Sequence, residues 1–393
     1  MAVTDFTVDR DTVKYVLNSS GDIASVAIDT PAIEYNTDGT YKGLLVEPAS
    51  TNVCLQSEDI NTTWTPYTST PTQSTEETPD GDTSNKYIKL VDNGGGGTGA
   101  VQVYQNITVA ANTKYTFSVF LKADQLAFAQ LQVQLYDGGT SGSQYFNLST
   151  GVKGTATNLD DSKIEAYPNG WYRCSITWTQ GAADTSVFPI IQVAEGIADN
   201  LVDLDGTSSI FVWGAQIEAS PIATSYIPTT TASVTRNKDD ISLTGASDLI
   251  GQSEGTLYVE VDWRLATGVG QYLLSANNGT FQNRIFIYNN GSPVQLRMAA
   301  VADNSIILDQ GVDSSGFSGI QKIAFAYADS DFELYRNGSS IDDSTSGSLA
   351  SLATLTDIDI GQAQGIFQAN MHIRAVALYK TRLTDDQLAD LTS

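Results

Sequence analysis

Four groups of residues have types and spacings that could do chemistry. Glu260 and Asp262 stand two apart in the strand-like run TLYVEVDW, so alternation puts both carboxylates on one face. A retaining glycosidase carrying E-x-D-x-x-E on a strand needs a further carboxylate three residues on. That position is Leu265, so the acid/base group is missing and a solvated strand face is the better reading. His372 is the single histidine; no G-x-S-x-G accompanies it, which favours a structural role over a general base. Glu195, Asp199, Asp203 and Asp205 crowd into AEGIADNLVDLDG, an oxygen-rich set suited to calcium rather than zinc, though without the spacing of an EF-hand. Sugar binding asks for exposed rings that stack on a pyranose face, with amides and acids holding the hydroxyls. Candidate rings are Trp64, Tyr67, Tyr104 and Tyr136 in the first half, and Trp263, Tyr288 and Tyr335 with Arg336 in the second, close to hairpin ends.

The elements that must position these groups are strands. In KYTFSVFLKA, AQLQVQLYD and WYRCSITW the apolar residues alternate, as in strands half buried against a second layer. SIFVWGAQIEA is apolar throughout, as in a strand covered on both sides. Asn-Gly in YNNG and YRNG signals hairpins. Only LTDDQLADL reads as a helix: Thr384 is a plausible N-cap, Gln387 completes a capping box, and Leu383 and Leu388 are placed for a hydrophobic staple. The fold expected is all-β: an N-terminal arm over 1–50, then two tandem antiparallel β-sandwiches of jelly-roll type over 51–236 and 237–393, with a short C-terminal helix. The Pro- and Thr-rich stretch 219–240 reads as a connection without a periodic core. The second sandwich is therefore expected to fold alone, and loss of residues 1–42 to leave both sandwiches intact.

Composition excludes several function classes. Forty-five acidic against 20 basic residues give a formal net charge of −25, which rules out a general electrostatic footprint for nucleic acid or for an anionic membrane. No apolar run reaches the length of a membrane span, so membrane insertion is not expected. One histidine and two cysteines cannot build a His-rich metal site, a zinc ribbon or a disulfide scaffold. Cys54 and Cys174 lie in apolar strand contexts and read as buried thiols. The N-terminus, MAVTDFTVDRD, lacks the pattern of a signal peptide.

Several strings occur together in a familiar order: GLLVEPASTNVCLQSEDINTTW (Gly43 to Trp64), YFNLSTGVKG, NGWYRCSITW and WGAQIEASPIATSYIPTTTASVTR. This set resembles the jelly-roll domain of bacteriophage head-spike, head-fibre and tail-fibre proteins, related in shape to carbohydrate-binding modules. FELYRNGSSI and MHIRAVALYKTRLTDDQLADL are similar to laminin-G or concanavalin-A-like domains. The resemblance implies a non-enzymatic protein of the virion surface, made in the host cytoplasm, that displays lectin-like domains to host surface polysaccharide. It implies contact with other virion proteins through the N-terminal arm, and homo-oligomers, trimers by analogy with fibres. Such modules often hold a structural calcium, which here would fall on Glu195, Asp199, Asp203 and Asp205; no other cofactor is implied. A purely architectural decoration protein and a tailspike-like polysaccharide-degrading enzyme are the competing readings.

Overall fold

In the computed structural model, residues 5–263 and 270–393 are described; Leu265 lies outside them. The regular structure is nearly all antiparallel strand and forms two sandwiches. In the first, sheet I runs Val152–Thr157, Thr140–Asn147, Phe128–Asp137, Ser186–Ala194, Gln102–Tyr104, Thr65–Tyr67. Sheet II runs Asp161–Ala166, Trp171–Thr179, Lys114–Ala123, Ser209–Glu218, Lys86–Asp92, Ser69–Ser74. The alternating apolar residues meet between them: Leu131, Val133, Phe146 and Ile191 from sheet I face Phe117, Val119, Cys174 and Trp178 from sheet II. Both cysteines are free and buried.

The second sandwich pairs sheet III (Thr7–Asp9, Asp240–Leu243, Asp357–Ile360, Gln271–Asn277, Arg284–Gly291, Val294–Ala302, Ser305–Asp313) with sheet IV. Sheet IV runs Ser339–Ser344, Asp331–Arg336, Gly319–Ala328, Gly255–Trp263, Met371–Tyr379, Tyr41–Val46, Ile33–Tyr35. The helix Asp385–Thr392 closes the outer face of sheet IV with the expected capping box: the Thr384 hydroxyl accepts from the Gln387 amide, and Gln387 Oε1 accepts from the Thr384 N–H at 2.9 Å. Leu388 is buried there on Tyr258 and Tyr335, with Leu383 beside it.

Residues 1–50 are not a separate arm. Thr7–Asp9 is the edge strand of sheet III, while Tyr41–Val46 and Ile33–Tyr35 extend sheet IV beyond Met371–Tyr379. The hairpin Lys14–Leu17/Ile23–Val26 turns the other way and lays Leu17 and Ile23 on Phe120, Trp171 and Trp213, the outer side of sheet II. That cover buries Phe211 and Trp213, and residues 224–227 with Ser50 bury Gln216 and Glu218, so Ser209–Glu218 is buried along its whole length. Strands of three to six residues cannot make a core, so each borrows one from a sheet built by residues distant in the chain. Gly43 shows how closely they pack: at φ 149° a Cβ would come within 2.8 Å of the His372 Cβ.

The stretch 219–240 also departs from expectation. Val234–Arg236 pairs with Ser50–Asn52, and Thr224 to Ile227 are buried. Where the segments meet, Arg10, Lys14, Glu47, Arg236 and Asp239 form a buried charge cluster. The two Asn-Gly signals divide. Asn337 and Gly338 both have positive φ and make the tight turn before Ser339–Ser344, whereas Asn290-Gly291 lies inside a strand and Ser292-Pro293 makes the turn.

One buried acid gives this fold a pH signature. Asp359, on the outer side of sheet III, has its pKa raised to about 6, first by burial and further by Asp240 and Asp357, against hydrogen bonds from the Gln364 N–H and Asn277. A carboxyl whose folded pKa is raised favours the native state most when protonated. Its contribution is therefore lost as pH climbs from the unfolded value near 4 through about 6. Replacing Asp359 with Asn should stabilise the protein at pH 7.5 relative to pH 4.5 by about 2–3 kcal/mol more than wild type. Urea midpoints at the two pH values measure this; parallel shifts in both proteins would refute it.

Candidate functional site

The outer side of sheet I carries a polar and aromatic row. Alternation turns Leu131, Ile191, Val103 and Phe146 into the core, so their neighbours Gln130, Gln192, Gln102 and Tyr145 face outward. Register then aligns them: Tyr67 opposes Gln102, Gln102 opposes Gln192, Gln192 opposes Gln130, and Gln130 opposes Tyr145. The row crosses five strands, or roughly 19 Å at about 4.8 Å per strand. A second row beside it holds Tyr104, Ile190, Gln132 and Ser143. The Tyr104 and Phe188 rings meet edge-on at 6.1 Å.

This face has unused hydrogen-bonding capacity. Gln130 is 4% exposed, yet its Oε1 accepts from nothing. An amide carbonyl shielded from water and left unpaired costs free energy that a ligand hydroxyl would recover. Gln192, 1% exposed, donates to the carbonyl of Asn200 at 3.1 Å, and the Ile197 carbonyl accepts from the Thr155 N–H at 2.9 Å, so the hairpin after Ala194 covers the middle of the row. Tyr67, 55% exposed, stands at the open end. The two rows contain no Lys, Arg, Asp or Glu. Amides that both donate and accept, flanked by flat rings, match the hydroxyls and the apolar face of an uncharged sugar.

The other candidate residues are distributed differently. Trp64 and Trp263 are core residues, 3% and 4% exposed: alternation along Gly255–Trp263 turns Trp263 into the second sandwich, and Trp64, just before the strand Thr65–Tyr67, turns into the first. Tyr335 is shut under the C-terminal helix with Tyr258 and Leu388. The Arg336 guanidinium sits 3.7 Å above the Phe317 ring. Tyr136 is half-buried and donates to the Asn158 carbonyl. Tyr288 stands on the outer face of sheet III, which the helix does not cover; its hydroxyl donates to Asp309 at 2.9 Å. The rings of Tyr272 and Phe286 lie against it, and Phe367 stacks on Tyr272.

Glu195, Asp199, Asp203 and Asp205 are all exposed and are not drawn together. Asp199 accepts from the Leu201 N–H, Asp205 caps Thr207, and Asp203 lies in a short strand paired with Thr98–Gly99. Among the described residues no group of three or more His, Cys, Asp or Glu is arranged to hold a metal. Glu260 is tied to Arg374 Nε at 2.8 Å, and His372 is buried against Glu34. Glu260 and His372 thus each have a structural partner.

No protein-family model matches the chain, and no curated protein sequence matches it. Among solved structures, the CBM40 of Ruminococcus gnavus IT-sialidase is 17% identical, with 38% of this chain and 86% of that one covered at a TM-score of 0.32. The binding domain of botulinum neurotoxin DC, solved with rat synaptotagmin II, is 15% identical over 40% of each chain, also at 0.32.

Proposed function

We propose that this chain is a sugar-binding protein of a phage particle's surface, acting by attachment rather than catalysis. The observation that carries the binding function is the row Tyr67, Gln102, Gln192, Gln130, Tyr145, with its unpaired Gln130 carbonyl. Its ligand is a neutral, extended glycan laid across the strands. Placement on a virion rests on the sequence strings from Gly43 to Arg236. Contact with other virion proteins falls to the segment 1–50, where Val13, Ile28 and Tyr41 are exposed, and trimers follow from the analogy with fibres. Affinity per site is weak, and many copies on one particle multiply it by about 10²–10⁴.

Protein multimerised on beads should bind neutral host polysaccharide, and Tyr67→Ala should weaken that binding about tenfold, roughly 1.4 kcal/mol. Because Tyr67 is exposed, its thermal midpoint should hardly move. Undiminished binding by both Tyr67→Ala and Gln130→Ala would remove the face from consideration. Release of reducing ends would favour the degrading enzyme. Absence of any glycan binding, with tight capsid association, would favour pure architecture; gold labelling of virions locates the protein on head or tail.

A further inference from the structure

The second sandwich carries an aromatic face of different chemistry. On the outer side of sheet III, Tyr272 stacks on Phe286 at 4.8 Å, on Tyr288 at 5.5 Å and on Phe367 at 5.5 Å. Phe367 is 44% exposed and borders a cleft of about 310 Å³ between the two sandwiches, with Gln271, Ser50 and Pro221 on its other walls. At the opposite end of the face the Arg284 guanidinium lies 4.8 Å from the centroids of both Phe281 and Phe286. Rings, cation and cleft are contiguous.

Arg284 is a cation without a counter-charge. Among the described residues no carboxylate pairs with it, although acids outnumber bases by 45 to 20 in the chain. Its Nε and Nη1 are shielded from water and donate to nothing. An amide in that position could be turned to offer its oxygen; a guanidinium has donors only. The two phenyl rings hold it flat, which pre-organises the planar fork for a carboxylate. Ser275, which opposes Phe286 on the same face, has an unpaired Oγ as well. The acids in register on this face, Asp357, Asp359 and Asp309, each stand two strands away; Asp359 is taken by Asn277 and the Gln364 N–H, and Asp309 by Tyr288 and Arg297.

We propose that this face is a second saccharide site, specific for carboxylate-bearing sugars. The Tyr272, Tyr288 and Phe367 rings carry the pyranose, and Arg284 receives the carboxylate. The site shares no residue with the neutral-glycan row on sheet I and stands independently of it.

The test uses the full chain on a surface printed with uronate-containing and other carboxylate-bearing glycans, their carboxyl-reduced counterparts, and phosphorylated or sulfated glycans. At least one carboxylate glycan should bind, and both carboxyl reduction and Arg284→Ala should lower that binding at least tenfold. Arg284→Lys should recover only part of the loss, since an ammonium cannot form the fork. Phe367→Ala, at an exposed position, should weaken binding with an unchanged thermal midpoint, which separates recognition from folding. Tyr67→Ala should leave acidic-glycan binding intact, so failure of one site is distinguishable from failure of the other. Equal binding of reduced and native glycans, full binding by Arg284→Ala, preference for phosphate or sulfate, or no binding across the panel would each overturn the assignment.

Discussion

Residues 237–393 produced without the N-terminal segment should show no cooperative thermal transition. Phe6, Val8, Leu44 and Val46 are all buried in the core of the second sandwich. Burying each such side chain contributes about 1.5–3 kcal/mol, so losing four removes about 6–12 kcal/mol, comparable to the whole stability of a domain. The loss also bares one edge of Met371–Tyr379, which pairs with Tyr41–Val46, and leaves its backbone groups open to aggregation. Removal of residues 1–42 should be nearly as damaging, because it takes Phe6 and Val8 with Arg10 and Lys14. Calorimetry of the fragment alone and of the fragment co-expressed with residues 1–49 decides the matter. A sharp transition in the lone fragment, close to that of the full chain, would show that the sandwich does not need those strands.

That dependence was hidden in the sequence for a physical reason. Alternation is a local signal, and it was sufficient for Lys114–Ala123, Phe128–Asp137 and Trp171–Thr179, whose hairpin or sheet neighbours supply the second layer. The capping box around Thr384 is equally local. A three-residue strand such as Thr7–Asp9 carries no such pattern, and its partner Asp240–Leu243 lies far along the chain. The candidate site followed the same division. Three glutamines alternating with Ala129, Leu131 and Val133 were visible as one strand face. Their alignment with Gln192 and Gln102 depends on register between strands distant in sequence. Trp263 and Tyr335 misled because nearness to a hairpin end does not decide which way a ring points, and Trp64 because nothing local shows that a ring just before Thr65–Tyr67 turns into the core. Arg284 gave no signal at all, since its significance is the absence of a partner, which only the folded neighbourhood reveals.

Asp239→Ala should be among the most destabilising single substitutions in the chain, by about 3–5 kcal/mol. Asp239 is 1% exposed and accepts from Arg10 Nη1 at 2.8 Å, Lys14 Nζ at 2.6 Å and the Glu47 N–H at 2.9 Å. Removing it strands the buried Arg10 and weakens the pairing of Lys14, and a buried charge without a partner costs far more than the pair ever contributes. Lys14 would retain Glu47 at 3.0 Å and the Leu45 carbonyl at 2.8 Å, so its environment is weakened rather than emptied. Arg10 would keep only the neutral carbonyls of Thr12, Ala27 and Thr30. The double change Lys14→Met with Asp239→Ala should therefore cost less than the sum of the singles. The cluster also fixes how the protein responds to acid. Burial pushes the Glu47 pKa up, but Lys14, Arg236 and the hydrogen bond from the Ser225 N–H outweigh it and hold the carboxyl well below the usual range. A carboxyl with a depressed folded pKa contributes its full stabilisation above the unfolded value near 4 and loses it as pH falls further. This sign is opposite to that of Asp359. Denaturant unfolding from pH 3 to pH 7 should show a steep loss below about pH 4 in wild type that is absent in Glu47→Gln. A Glu47→Gln protein that is as stable as wild type at pH 7, or that keeps the wild-type acid slope, would mean the cluster does not lock the N-terminal segment to the connection between the sandwiches.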